Sequence, residues 1–180
     1  MVPALTRTQA HLGRIGEEAL PLLARLTFAG VLLTYFWKSA LTKTGPGIFG
    51  WLHPSAGAYA QIFPRQLEAA GYDPSALGAW PWAVTTAGTL AEFVLPALIL
   101  LGLATRPAAL GMMAFIAVQS LTDIIGHGAD SATIGRLFDR DPGSLIADQR
   151  ALWGLCVAVL LFKGAGALSL DRLLARRLGG

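Results

Sequence analysis

Apolar positions in this 180-residue chain come in long unbroken runs, not in alternation with polar ones. Four stretches reach the roughly 20 helical residues needed to cross a hydrocarbon core: 20–41, 82–103, 107–125 and 151–170, the last with Lys163 snorkelling to the headgroups. The runs are rich in Leu and Ala and carry no period-two pattern, which excludes strands. The pattern predicts an all-α polytopic membrane protein, a four-transmembrane-helix bundle.

The connections differ in character. Residues 1–19 carry Arg7, Arg14, Glu17 and Glu18 and read as a short amphipathic lead-in on the cytoplasmic side. The first run is longer than a cleavable signal core and contains Arg25, so it is expected to be retained. Runs two and three are joined only by residues 104–107, with Pro107 suited to a helix start, so they should form an antiparallel hairpin. Residues 42–81 are weakly charged and aromatic. Ser55 is placed to cap a helix bearing Tyr59, Ile62, Phe63 and Leu67 at near-helical spacing, kinked by Pro64 and closing at Gly71. This interfacial amphipathic segment in the first outer loop is expected to lie flat and cover the mouth of the bundle. Residues 126–150 alternate Asp and Arg and should be solvated.

Composition narrows the class. The chain is 54% hydrophobic and only 14% charged, against about 25% charged residues in ordinary soluble domains. A disordered tail, a collagen and a disulfide scaffold are excluded on the same figures. One cysteine, Cys156, cannot pass electrons through a thiol pair or hold a four-Cys cluster, and it reads as a packing residue. The three histidines, His11, His53 and His127, fall in different regions, so no metal or haem site is expected. No phosphate loop, flavin motif, HExxH or GxSxG is present. The arginines are scattered, so no nucleic acid is expected as partner; membrane lipids are.

Charge sets an orientation. The N-terminus, the 104–106 link and the C-terminal end hold eight cations (Arg7, Arg14, Arg25, Arg106, Lys163, Arg172, Arg176, Arg177) against Glu17, Glu18 and Asp171. The other side holds six (Lys38, Lys43, Arg65, Arg136, Arg140, Arg150) against seven acids (Glu68, Asp73, Asp123, Asp130, Asp139, Asp141, Asp148). By the positive-inside rule both termini are expected in the cytoplasm, with the chain in a bacterial-type inner membrane.

The polar residues at membrane depth are the candidate chemistry. Glu92 lies about 15 Å from each surface at 1.5 Å per residue. A carboxylate there costs about 3 kcal/mol, so it should be protonated, paired or turned toward a polar cavity. Thr85 and Thr89 share its helical face. Gln119, Asp123 and His127 follow at i, i+4 and i+8, a ladder from midplane outward that suits a proton or quinol path, with Gln119 level with Glu92. Lys38 reaches toward the outer rungs, and Arg25 lies deep enough to need a partner. Bland roles stand beside these: helix-locking hydrogen bonds for Glu92, a solvated helix end for Asp123 and His127, and snorkelling for Lys38 and Arg25. Trp80, Trp82 and Trp153 fit an interfacial belt.

Arg25 followed thirteen residues later by Lys38, Glu92 with the segment Gly102-Leu103-Ala104-Thr105-Arg106, and the closing Gly164-Ala165-Gly166-Ala167-Leu168-Ser169-Leu170-Asp171 together resemble the DoxX family. Ala165 stands where that family's GPGxxSLD ending has proline. The resemblance covers residues 20–174, leaving 175–180 as a basic cytoplasmic tail. It implies a similarity to the small membrane subunit of thiosulfate:quinone oxidoreductase. It also marks Arg25, Lys38, Glu92 and Arg106 as matched positions; the Asp123–His127 ladder is outside the family pattern.

Two functions follow as expectations. One is the integral membrane subunit of a quinone-linked oxidoreductase. It would hold a quinone head around Glu92, the catalytic proton donor or acceptor, with Asp123 and His127 relaying protons and Thr85, Thr89, Gln119, Arg25, Lys38 and Arg106 as ligand-binding candidates. A protein partner would supply the electrons. The other is a non-catalytic membrane scaffold or lipid-binding subunit anchoring a larger complex, with Gly88, Ala91, Gly111 and Ala114 allowing close helix contact. A transporter is disfavoured by the lack of an inverted repeat.

Overall fold

A computed structural model describes the backbone of residues 2–178 and the side chains of 9–178; the side chain of Arg7 and the last two glycines of the basic tail lie outside these. Four helices are long and apolar enough to cross a membrane: Gln9–Lys43, Ala79–Leu101, Thr105–Gly126 and Leu145–Lys163. No strand occurs among the described residues. Each span packs against its neighbours in chain order and the fourth closes on the first, giving an up-and-down bundle.

Lipid tails are as apolar as leucine, so the bundle is held by close packing and interhelical hydrogen bonds, not by flight from water. Phe28, Leu32 and Phe36 of the first span meet Ile99, Met112, Ile116, Val157 and Leu160 in one buried core. Phe36 is packed edge-on against Phe115 and Trp153, with ring centroids 5.7 and 6.3 Å away. Trp153 thus belongs to the bundle interior and not to an interfacial belt; Trp80 and Trp82 remain exposed. Outward faces carry large apolar side chains, among them Leu26, Val94, Leu110 and Leu155. Such a surface is a liability in water and fits lipid. The protein is a multi-pass membrane protein.

Several boundaries differ from the sequence reading. The first helix starts far ahead of residue 20, so the lead-in is a continuous extension of the span. A π turn at Ala29–Leu33 interrupts its regular winding. Phe28, Leu32, Phe36 and Ala40 are all buried. Spacing of four drifts about 40° per step on a regular α-helix, and the wider π turn takes up that drift. At the other end the span runs two residues past Leu41, to Lys43.

The fourth span begins earlier and ends at Lys163, not at residue 170. Gly164 and Gly166 take φ of 79° and 76°, turning the chain out before a separate helix, Leu170–Leu178. In the first outer loop Ser55 caps helix Ala56–Ile62, accepting from Ala58 N at 3.2 Å. Pro64 then starts a second short helix, Pro64–Ala69, so the kink is a break. Gln61 and Ile62 lie over the space between the first three spans.

At the opposite end the second and third spans are fastened to the C-terminal turn. Asp171 accepts from Ala104 N at 2.7 Å and Thr105 N at 2.9 Å, capping the third span from a distant part of the chain. Gly102 has φ of 65° and a Cβ there would lie 2.8 Å from Arg25 Cζ, so only glycine fits.

Candidate functional site

A cavity of about 470 Å³ opens between the first three spans, within the range of small-molecule sites. Its walls are mostly apolar, and Ala87, Gly88, Ala91, Gly111 and Ala114 make the room. These small residues therefore line a space, although Gly111 also allows close approach: a Cβ on it would meet Leu95 Cδ2 at 3.1 Å.

Glu92 sits on the cavity wall, 3% exposed, and its partner is Lys43. Lys43 Nζ lies 3.1 and 3.0 Å from the two carboxylate oxygens. Ser39 bridges them: its hydroxyl donates to Glu92 Oε1 at 3.0 Å and accepts from Lys43 Nζ at 2.6 Å. Helical spacing explains the trio. Lys43 is one turn beyond Ser39 and two turns beyond Phe36, so it shares the inward face. Its butyl stem lets the ammonium reach back along the span toward midplane. The carboxylate cost at membrane depth is thereby offset by an ion pair and a hydroxyl donor.

Lys38, the cation the sequence favoured, is exposed. It lies two residues from Phe36, about 200° around the helix. Reading it as a cavity residue is corrected; Lys43 occupies that role. Sequence reasoning missed Lys43 because it ended the span at Leu41 and assigned the lysine to solvent.

Thr85 and Thr89 are buried on the same helical face as Glu92. Thr89 Oγ1 donates to the carbonyl of Thr85 at 2.8 Å, and neither residue lines the cavity. Gln119 does line it, but forms no hydrogen bond to Glu92. Its amide donates to Tyr35 Oη at 2.9 Å, and its Oε1 is buried without a partner. The cavity separates the two residues expected to bond.

The outward ladder is broken into pairs. Asp123 lines the cavity and is held by Arg150 Nη2 at 2.5 Å, while Arg150 Nη1 donates to Ser120 Oγ at 3.1 Å. His127 is exposed, outside the cavity, with Nε2 2.9 Å from the carbonyl of Gln61. His127 is the C-cap residue after the π turn Thr122–Gly126, so it closes the helix beyond the cavity, where its ring nitrogen faces the Gln61 carbonyl. Arg150, expected in a solvated loop, is buried at the start of the fourth span.

Arg25 and Arg106 stand at the other end of the bundle. Arg25 donates to four carbonyls: Ile99 at 3.0 Å, Leu100 at 2.6 Å, Ala165 at 3.0 Å and Leu168 at 2.5 Å. The first two are last-turn carbonyls of the second span, and that of Ile99 also accepts from Gly102 N at 3.1 Å. One planar guanidinium thus ties three parts of the chain together. Arg106 is exposed and reaches the carbonyl of Phe162 at 3.3 Å. Neither lines the cavity, so their ligand-binding roles are corrected to fastening roles. Among the described residues no three His, Cys, Asp or Glu side chains gather as metal ligands.

The assembled site is an apolar chamber with two polar walls. One carries the Lys43–Glu92 pair, whose three ammonium N–H groups are taken by Glu92 and Ser39; the other, a tyrosine hydroxyl and a carboxamide oxygen with unused acceptor capacity. Such a chamber suits a small amphipathic molecule that both accepts and donates hydrogen bonds. Comparison of the chain with protein-family models, curated proteins and solved structures finds no match.

Proposed function

We propose that this chain is the quinone-binding membrane subunit of an oxidoreductase, related to the DoxX family, with the quinone head in the chamber walled by Lys43, Glu92 and Gln119. The apolar chamber with the Lys43–Glu92 pair on one wall and the Tyr35–Gln119 pair on the other carries the reading. A flat ring with an oxygen at each end meets both walls: the quinone's oxygens accept there, and the quinol's hydroxyls also donate. Reduction of a quinone there to the quinol would take two electrons from a protein partner and two protons, one passed by the Lys43–Glu92 pair at the near oxygen and one from water at the chamber mouth at the far oxygen. On this reading Lys43 turns one N–H from Ser39 to the ring oxygen nearest it. Glu92 and Lys43 hold a proton between them at that oxygen. Gln119 Oε1 accepts from the hydroxyl at the far side. The apolar walls take the ring and the start of its tail.

The family resemblance is supported by the meeting of its pieces: Arg25, the 102–106 turn and Asp171 form one hydrogen-bonded junction. The excess of cations at that end supports cytoplasmic termini in a bacterial-type inner membrane.

A second reading is a non-catalytic scaffold. Both Glu92 oxygens already have partners within the chain, so the pair can serve only to lock the first two spans. Fluorescence separates the readings, because Trp153 packs 5.4 Å from Tyr35, a wall residue. Titrating a short-tailed quinone into the detergent-solubilised protein should quench Trp153 saturably, and Trp153→Phe should remove that response. Quenching that rises linearly without saturation would favour the scaffold.

A further inference from the structure

A second concavity lies far from the chamber, between helix Leu170–Leu178 and the end of the second span. It has a volume of about 480 Å³ and is lined by Leu100, Leu101, Leu168 and Leu173, with Arg172 and Arg176 at its edge. The two arginines are one helical turn apart, and like charges so placed repel. The helix's own acid cannot neutralise them: Asp171 is spent on the N–H groups of Ala104 and Thr105. Among the described residues neither arginine forms an ion pair.

Position supplies the rest. The fourth span ends at Lys163 and the second at Leu101, so this helix sits where spans reach the headgroups. Leu101 follows Val94 by two turns, and both are exposed on the outward face of the second span. The apolar floor therefore continues onto lipid-facing surface.

We propose that this groove is a binding site for an anionic phospholipid, with the headgroup phosphate between Arg172 and Arg176 and an acyl chain running over Leu101 toward Val94. Arginine forks match phosphate oxygens, and cationic side chains at this depth attract anionic lipid. The site is independent of the quinone reading.

Native mass spectrometry of the full chain in mild detergent tests it, with phosphatidylglycerol and phosphatidylcholine offered in equal amounts. The native chain should retain phosphatidylglycerol in preference by about tenfold or more. R172Q/R176Q should lose that preference, whereas R136Q/R140Q, which removes the same charge from the opposite loop, should keep it. If the double variant does not fold, R172Q and R176Q singly should each reduce the preference. Excess inorganic phosphate should not displace the lipid. Equal retention of both lipids, a preference that survives R172Q/R176Q, equal loss in R136Q/R140Q, or displacement by inorganic phosphate would each overturn the assignment.

Discussion

Lys43 Nζ lies 3.0 Å from Glu92 Oε2, joining the last turn of the first span to the middle of the second. Both side chains are buried. An ion pair in that setting makes each partner the other's condition for staying charged.

Removing one partner should therefore cost far more than removing both. Lys43→Met is expected to destabilise the bundle by about 3–5 kcal/mol by stranding the carboxylate. K43M/E92M should recover most of that loss. Unfolding in mixed micelles reads both; a double variant as weak as the single one would mean that the pair is not what holds these spans.

Arg25→Lys should be strongly destabilising although charge is kept. An ammonium has three donors and no fork, against four carbonyls now served. Losing even two charged hydrogen bonds is worth about 3 kcal/mol or more. A melting temperature within error of the native one would contradict the clamp.

Gly102→Ala tests the same junction from the backbone. The positive φ and the approaches of 2.6 Å to Ser169 Cβ and 2.8 Å to Arg25 Cζ leave no place for a methyl group. The substitution should cost more than about 1 kcal/mol, and less when Arg25 is already replaced. Equal cost in both backgrounds would show that the two residues do not compete for that space.

Asp171 gives a pH signature. Burial pulls its carboxyl upward, yet the N–H groups of Thr105 and Ala104 and the Arg25 charge together hold it below the ordinary carboxylate range. A lowered folded value means that its stabilisation is present above the unfolded value near 3.9 and is lost as pH falls through the folded one. Asp171→Asn should flatten that acid-side loss and cost about 0.5–2 kcal/mol at neutral pH. An unchanged acid limb would remove Asp171 from the junction.

The membrane class and the four spans were legible because long apolar runs have few other homes. Glu92 was legible because a carboxylate at midplane stands out. Its partner was not, since a lysine just past the apolar run looks solvated until its long stem is allowed to reach back. The outward ladder failed for a local reason: the helix ends at His127, and the Gln61 carbonyl and Arg150, from distant parts of the chain, take His127 and Asp123, partners that periodicity along one helix cannot register. Arg25 was recognised as needing a partner, but carbonyl acceptors belong to every residue and leave no mark in the sequence.

The central claim is that the chamber beside Glu92 holds a quinone. Mass spectrometry of small molecules extracted from the purified protein measures this directly, with Gly88→Leu as the comparison. Gly88 lines the chamber and has open room around it, with Ile62 Cδ1 3.9 Å from a built Cβ, and it does not touch the ion pair. A near-stoichiometric quinone is expected in the native protein, and its loss in Gly88→Leu with the fold retained. Phospholipid alone from both, with no quinone in either, would contradict it.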